Sequence, residues 1–170
     1  MMKVLCCDLS LSGSGFAVMS FTQGQIYLHE TLFVNNKKNL HDGIGKRLDN
    51  IATALTEILQ RHPDINVVVR EKGFSKFPAT TQTLFKVVGV SDLLIYRHGM
   101  KTTMDELAPM TIKKAVTGKG TSDKVQVATA VRKFLTDEQK QWKFDTDDIS
   151  DAVAVGIAWA LQRKLLNIPD

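Results

Sequence analysis

Residues 3–18 read KVLCCDLSLSGSGFAV. Val4 to Cys7 is a short apolar run of the kind that forms a buried strand. It ends in a carboxylate, Asp8. A small-residue turn follows, and then a second apolar strand opens at Gly15. A buried, unpaired carboxylate is costly. The segment therefore predicts a core strand whose terminal acid is neutralised by something elsewhere in the fold.

The next segments extend the pattern. Residues 15–21 and 25–34 read as further strands joined by Thr22, Gln23 and Gly24, which predicts an antiparallel meander of three. Ile44, Leu48, Ile51, Ala52, Leu55, Ile58 and Leu59 follow the 3.6-residue period of an amphipathic helix, stopped by His62-Pro63-Asp64. Residues 65–69 are a β-branched run typical of a strand covered on both faces, and they lead into Arg70-Glu71. A helix over 80–98, closed by Gly99, and a short edge strand within 101–107 follow. Helices are predicted over 109–117, from Ser122 or Asp123 to about 135, and from Asp147 or Asp148 to about 167. The expected fold is α/β: a mixed five-stranded sheet, its first three strands antiparallel, with helices on both faces. No repeat or linker divides residues 1–170, so one domain is expected.

Composition narrows the function classes. The chain has 170 residues with 22 Lys plus Arg against 18 Asp plus Glu, a net charge of +4. A mild basic excess fits a polyanionic partner without requiring one. Cys6 and Cys7 are adjacent on a strand, point to opposite faces, and read as buried core residues rather than a disulfide or metal pair. No stretch has the length of a membrane span, and the N-terminal apolar run is too short for a signal sequence. A reduced, intracellular, soluble protein is expected, without a membrane partner.

The acids carry the chemistry. Asp8 ends the first strand and Glu71 the fourth, and sites in such sheets lie beyond the carboxyl ends of strands. Asp148 and Asp151 are three apart on the last helix, on a face continued by Ala152 and Val155. Four carboxylates converging on one point would stay ionised only around a counter-cation, and hard oxygen ligands select Mg²⁺ or Mn²⁺. Each acid also has an ordinary reading. Asp8 could accept N–H bonds from Ser10 or Leu11 within a turn; Glu71 could pair with Arg70 or Lys72; Asp147 and Asp148 could favour a helix N-terminus. Asp147 and Asp148 are alternatives as the partner of Asp151.

Four motifs in order resemble a known family. CDLSLSGSGFAV (7–18), VVVREKGF (67–74), TIKKAVTGKGTSDKVQVATAVRKFL (111–135) and DDISDAVAVGIA (147–158) are similar to segments of RuvC-type Holliday junction resolvases, within the ribonuclease-H-like superfamily. The resemblance implies a ribonuclease-H-like fold and a structure-specific endonuclease that resolves four-way DNA junctions by paired nicks. It implies that Asp8, Glu71, Asp148 and Asp151 bind two Mg²⁺ ions, with Mn²⁺ a substitute. It places Lys113 and Lys124 near the scissile phosphate, Lys124 in a catalytic role, and Phe74 against the bases of the opened junction. Phe77 is a second candidate for stacking, its alternative being burial beneath the loop, and Lys119 a further candidate for phosphate contact. It also implies a homodimer formed partly through helix 80–98, where Leu84, Val87, Val88, Leu94 and Ile95 supply more apolar surface than one narrow core face needs; a helix sandwiched within the monomer is the alternative. Whether a branch-migration motor is a further partner is left open by the sequence. Leu9-Ser10 replaces a Pro-Gly common in the family, Arg70 stands where a small or apolar residue is usual, and Asp148 stands where some members carry His. These departures fit a divergent member, such as a phage-encoded one, in a bacterial cytoplasm.

The rival readings are another ribonuclease-H-like nuclease, such as one cutting RNA–DNA hybrids, and a non-catalytic DNA-binding protein. An actin-like ATPase or sugar kinase needs two lobes and a second phosphate loop, for which 170 residues leave no room.

Overall fold

The computed structural model describes residues 2–37, 41–73, 77–99 and 104–169. Strands β1 (Met2–Asp8), β2 (Gly13–Thr22) and β3 (Gln25–Asn35) form the expected meander. Helix α1 (Ile44–Arg61) leads to β4 (Val67–Glu71), α2 (Pro78–Arg97) to β5 (Asp105–Leu107), and α3 (Pro109–Thr117), α4 (Lys124–Phe134) and α5 (Asp147–Gln162) complete the chain. The sheet order is β3-β2-β1-β4-β5. β1 pairs antiparallel with β2 and parallel with β4, and β4 pairs parallel with β5.

The pleat sorts the sheet's side chains into two cores. Val4, Cys6, Ala17, Met19 and Val69 face α3, α4 and α5. Leu5, Cys7, Phe16, Val18 and Val68 face α1 and α2. The adjacent cysteines thus lie in different cores, both free and buried. Helix α5 is buried nearly all round from Ile149 to Ala160, as a helix enclosed between the sheet and a second helical layer must be. Each large side chain it buries, such as Ile157, contributes about 2–3 kcal/mol. Gly156 makes that depth possible: a methyl group there would lie 2.5 Å from Met19 Sδ and 2.6 Å from Cys6 Sγ.

Several boundaries differ from expectation. β4 begins at Val67 rather than Ile65, because the Ile65 N–H bonds to His62 and only the Asn66 N–H reaches β1, at Lys3. Helix α5 ends at Gln162, five residues early, where the chain turns through Lys164 at φ 56° so that Leu166 can bridge to Gly24. β5 is only three residues long, and 101–103 lie outside the described residues.

Helix α2 also corrects the sequence reading. Val87 and Ile95 are buried, and Leu84, Val88 and Leu94 pack half-buried on the same core. Those five therefore serve the monomer. The apolar side chains α2 leaves in solvent are Phe85, Leu93 and Tyr96. Among the described residues, no helix is long and apolar enough to cross a membrane.

Candidate active site

The register of β1 and β4 sets the site. Cys7 lies opposite Arg70 in a parallel pairing, so the next residues, Asp8 and Glu71, emerge at adjacent strand ends. Asp8 alternates with Cys6, and Glu71 with Val69, so both acids belong to the face that carries α5. The N-terminus of α5 closes the group. Gly15 lets it approach: a methyl group there would lie 2.0 Å from the Asp148 carbonyl oxygen, while the same group on Gly13 would meet Asp148 Oδ2 at an ordinary contact distance of 3.7 Å.

The charges confirm that these groups act on one another. Burial, then Glu71, Asp151 and Asp148, push the Asp8 carboxyl up to about 8, against a pull from Lys124. Burial and Asp151 raise Glu71, while Lys113 and Lys124 oppose the shift. Burial also raises Asp151, against Lys124, with Asp148 and Asp147 adding to it. Lys124 Nζ stands 3.4 Å from Asp151 Oδ2. Partial burial works against the ammonium, but Asp151, Asp148 and Asp8 outweigh that and hold its proton on. Asp147 is exposed and does not figure among the charges acting on Asp8.

Two of the ordinary pairings, Asp8 with Ser10 and Glu71 with Arg70, are not made. The Ser10 N–H donates to Ser14 Oγ at 3.1 Å rather than to Asp8. Arg70 turns to the opposite face of the sheet, where its buried guanidinium bonds Asp92 Oδ1 at 2.6 Å and Glu106 Oε1 at 2.7 Å. That network was not legible in the sequence, because Arg70 lies far from both acids along the chain.

The donor set fits a divalent cation in kind. All four acids are hard oxygen donors, and burial with mutual repulsion raises three of them despite Lys124. Among the described residues, no group of three or more acidic, imidazole or thiol side chains is placed so that it could hold a metal ion.

The remaining candidates are dispersed. Lys113 is half-buried on α3 and acts on Glu71. Lys119 is exposed at the α3–α4 turn, its backbone N–H on Thr117 Oγ1. Phe77 is 71% exposed, so burial beneath the loop is not its role. Phe74 lies outside the described residues.

An antiparallel three-strand meander followed by parallel β4 and β5 defines a ribonuclease-H-like fold. The family described as crossover junction endodeoxyribonuclease RuvC matches residues 4–159, and the chain belongs to that family. A RuvC of Helicobacter pylori is 30% identical over 167 residues, covering 96% of this chain and 99% of that one. A RuvC of Prochlorococcus marinus is 29% identical over 163 residues, covering 95% and 100%. The Thermus thermophilus RuvC structure superposes with a TM-score of 0.81 at 20% identity over 96% of both chains. The same protein in complex with a Holliday junction substrate gives 0.80 at 20% identity, over 97% of this chain and 96% of that one.

Proposed function

We propose that this protein is a structure-specific endodeoxyribonuclease that cuts four-way DNA junctions by paired symmetric nicks. The observation that carries this reading is the convergence of Asp8, Glu71, Asp148 and Asp151 at one end of the sheet, with Lys124 beside them. Family membership supplies the substrate class.

Asp8, Glu71, Asp148 and Asp151 would hold divalent metal, Mg²⁺ by the preference of hard oxygen donors. Metal held there would supply water activation and charge neutralisation at the phosphodiester. The residues of the chain do the rest. Lys124 holds its proton and offsets charge developing on the phosphate oxygens. Lys113 and Lys119 bind flanking phosphate, and Phe74, or Phe77 in solvent beyond it, stacks on unpaired bases.

A four-way junction has approximate two-fold symmetry, and a C2 homodimer would present two sites related by the same symmetry. The exposed Phe85, Leu93 and Tyr96 of α2 support that helix as the dimer face. The curated relatives named above are bacterial, in keeping with action on DNA in a bacterial cytoplasm.

The test is incubation with an end-labelled synthetic junction, with and without Mg²⁺. Paired nicks at symmetric positions are expected only with metal. Cutting of an RNA–DNA hybrid in preference to the junction would overturn the reading.

A further inference from the structure

Among the described residues, Arg47 has no counter-ion. The other arginines that are not free in solvent are all engaged: Arg61 with Glu30, Arg70 with Asp92 and Glu106, Arg132 with two carbonyls, Arg163 with Asp105. Arg47 is half-buried on the first turn of α1, yet among the described residues its guanidinium meets no acceptor, and its Nε is buried with no hydrogen-bond partner. A half-buried cation left this way carries a desolvation cost with no return inside the fold.

Arg47 lines a cleft of about 410 Å³ on the α1 and α2 side of the turn that follows Asp8. One wall is the turn directly after Asp8, including Ser10 and Ser12, and the other is the start of α2, including Thr80 and Thr83. Ser10 and Thr83 spend their hydroxyl protons on the carbonyls of Gly13 and Ala79, and Ser12 turns its own toward Ser10 Oγ at 3.4 Å, which leaves the Thr80 hydroxyl at the cleft. Two helices begin at this cleft, α1 after Gly43 and α2 after Phe77. Neither has a side-chain cap bond or an acid in its first turn. Their positive ends add to the charge of Arg47.

The wall is built to stay put. Asn36, wholly buried, donates from Nδ2 to the carbonyls of Leu11 at 3.1 Å and Arg47 at 2.9 Å. Its own N–H bonds Ser12 O at 3.0 Å, and Asn50 donates to its Oδ1 at 2.9 Å. One asparagine thus fixes the catalytic turn to the helix turn that bears Arg47. The cations that act most on the acids are Lys113 and Lys124, so Arg47 is not committed to offsetting them.

We infer that Arg47, with the hydroxyl of Thr80, binds a phosphodiester of the nucleic-acid strand as it leaves the acidic site across the β1–β2 turn. The inference rests on the nuclease reading above and adds a second phosphate subsite to it, on the side of the turn away from Lys113 and Lys124. A planar, always-charged guanidinium suits a phosphate oxygen pair.

The test is equilibrium binding of the full chain to a fluorescent four-way junction in EDTA, between 50 and 200 mM salt. Each phosphate contact steepens the log–log salt slope by about 0.9. Arg47→Ala should lower the slope by about one, so that its deficit against wild type shrinks about 3.5-fold across that range. Arg47→Lys should restore the slope, and Arg61→Ala, at the far end of the same helix, should leave it unchanged. Arg47→Gln serves if the alanine variant does not fold, and should give the same lowered slope. An Arg47→Ala or Arg47→Gln slope equal to wild type, in a wild-type protein that binds and nicks junctions, would overturn the subsite and leave the nuclease reading standing. A wild-type protein that neither binds nor nicks junctions would overturn both.

Discussion

Gly15 on β2 faces the main-chain carbonyl of Asp148 so closely that a methyl group would lie 2.0 Å from its oxygen. The partner is backbone, so it cannot swing aside. The glycine therefore sets how near the first turn of α5 comes to Asp8. Gly15→Ala should destabilise the protein by about 1–3 kcal/mol and, in the protein that remains folded, lower cleavage by at least tenfold. Gly156→Ala meets only the flexible sulfurs of Met19 and Cys6, two turns along α5. It should cost comparable stability in chemical denaturation with a much smaller loss of cleavage. Equal cleavage losses would mean that Gly15 acts through stability alone.

Asp8→Asn should retain junction binding in gel-shift assays and lose Mg²⁺-dependent nicking by more than about 100-fold, since outer-sphere changes alone cost 10–100-fold. An active Asp8→Asn protein would remove Asp8 from the site.

The same residue predicts a pH dependence. Burial and neighbouring acids raise the folded-state carboxyl from 3.8 to about 8. The protonated form is thus favoured by folding, and its contribution is complete below about pH 4 and lost as pH rises through 8. Glu71 and Asp151 shift in the same direction. In EDTA, wild type should melt at a lower temperature at pH 8 than at pH 5, and Asp8→Asn should narrow the difference. Mg²⁺ should restore the wild type at pH 8. A flat wild-type profile in EDTA would contradict the electrostatics described here.

Lys124→Ala should lower single-turnover cleavage by about 100-fold. The side chain is 58% exposed, so its ion pair with Asp151 contributes little to stability and the melting temperature should hardly move. An unchanged rate would take Lys124 out of the chemistry.

Phe85→Glu combined with Tyr96→Glu should convert a dimer to a monomer in sedimentation or light scattering, without unfolding, because both side chains are in solvent in the single chain. A wild type already monomeric at micromolar concentration would refute the dimer.

The sheet was legible in the sequence because its strands are continuous apolar runs ended by Asp8 and Glu71, and alternation fixes which core each residue enters. The gathering of the acids was legible as an expectation for the same reason: parallel neighbours bring their ends together. Periodicity did not separate the faces of α2, since Leu84, Val88 and Leu94 are as apolar as Phe85, Leu93 and Tyr96. Arg70, Asp92 and Glu106 come from three elements, and their meeting depends on the β1–β4–β5 order. Gly15 reads as the opening residue of a strand, and its closeness to Asp148 appears only when α5 is laid across the sheet.

Cys6 and Cys7 sit in separate cores, and that has a practical side. Burial, reinforced by Cys7, holds the Cys6 thiol well above its usual range; burial and Asp8 push Cys7 to about 12 against the pull of Arg70. Neither is a thiolate at neutral pH, so the native enzyme should resist peroxide and alkylating reagents. Iodoacetamide uptake then becomes a clock for transient opening of the sheet, and a single cysteine introduced on the surface could carry a fluorophore without removing the native pair.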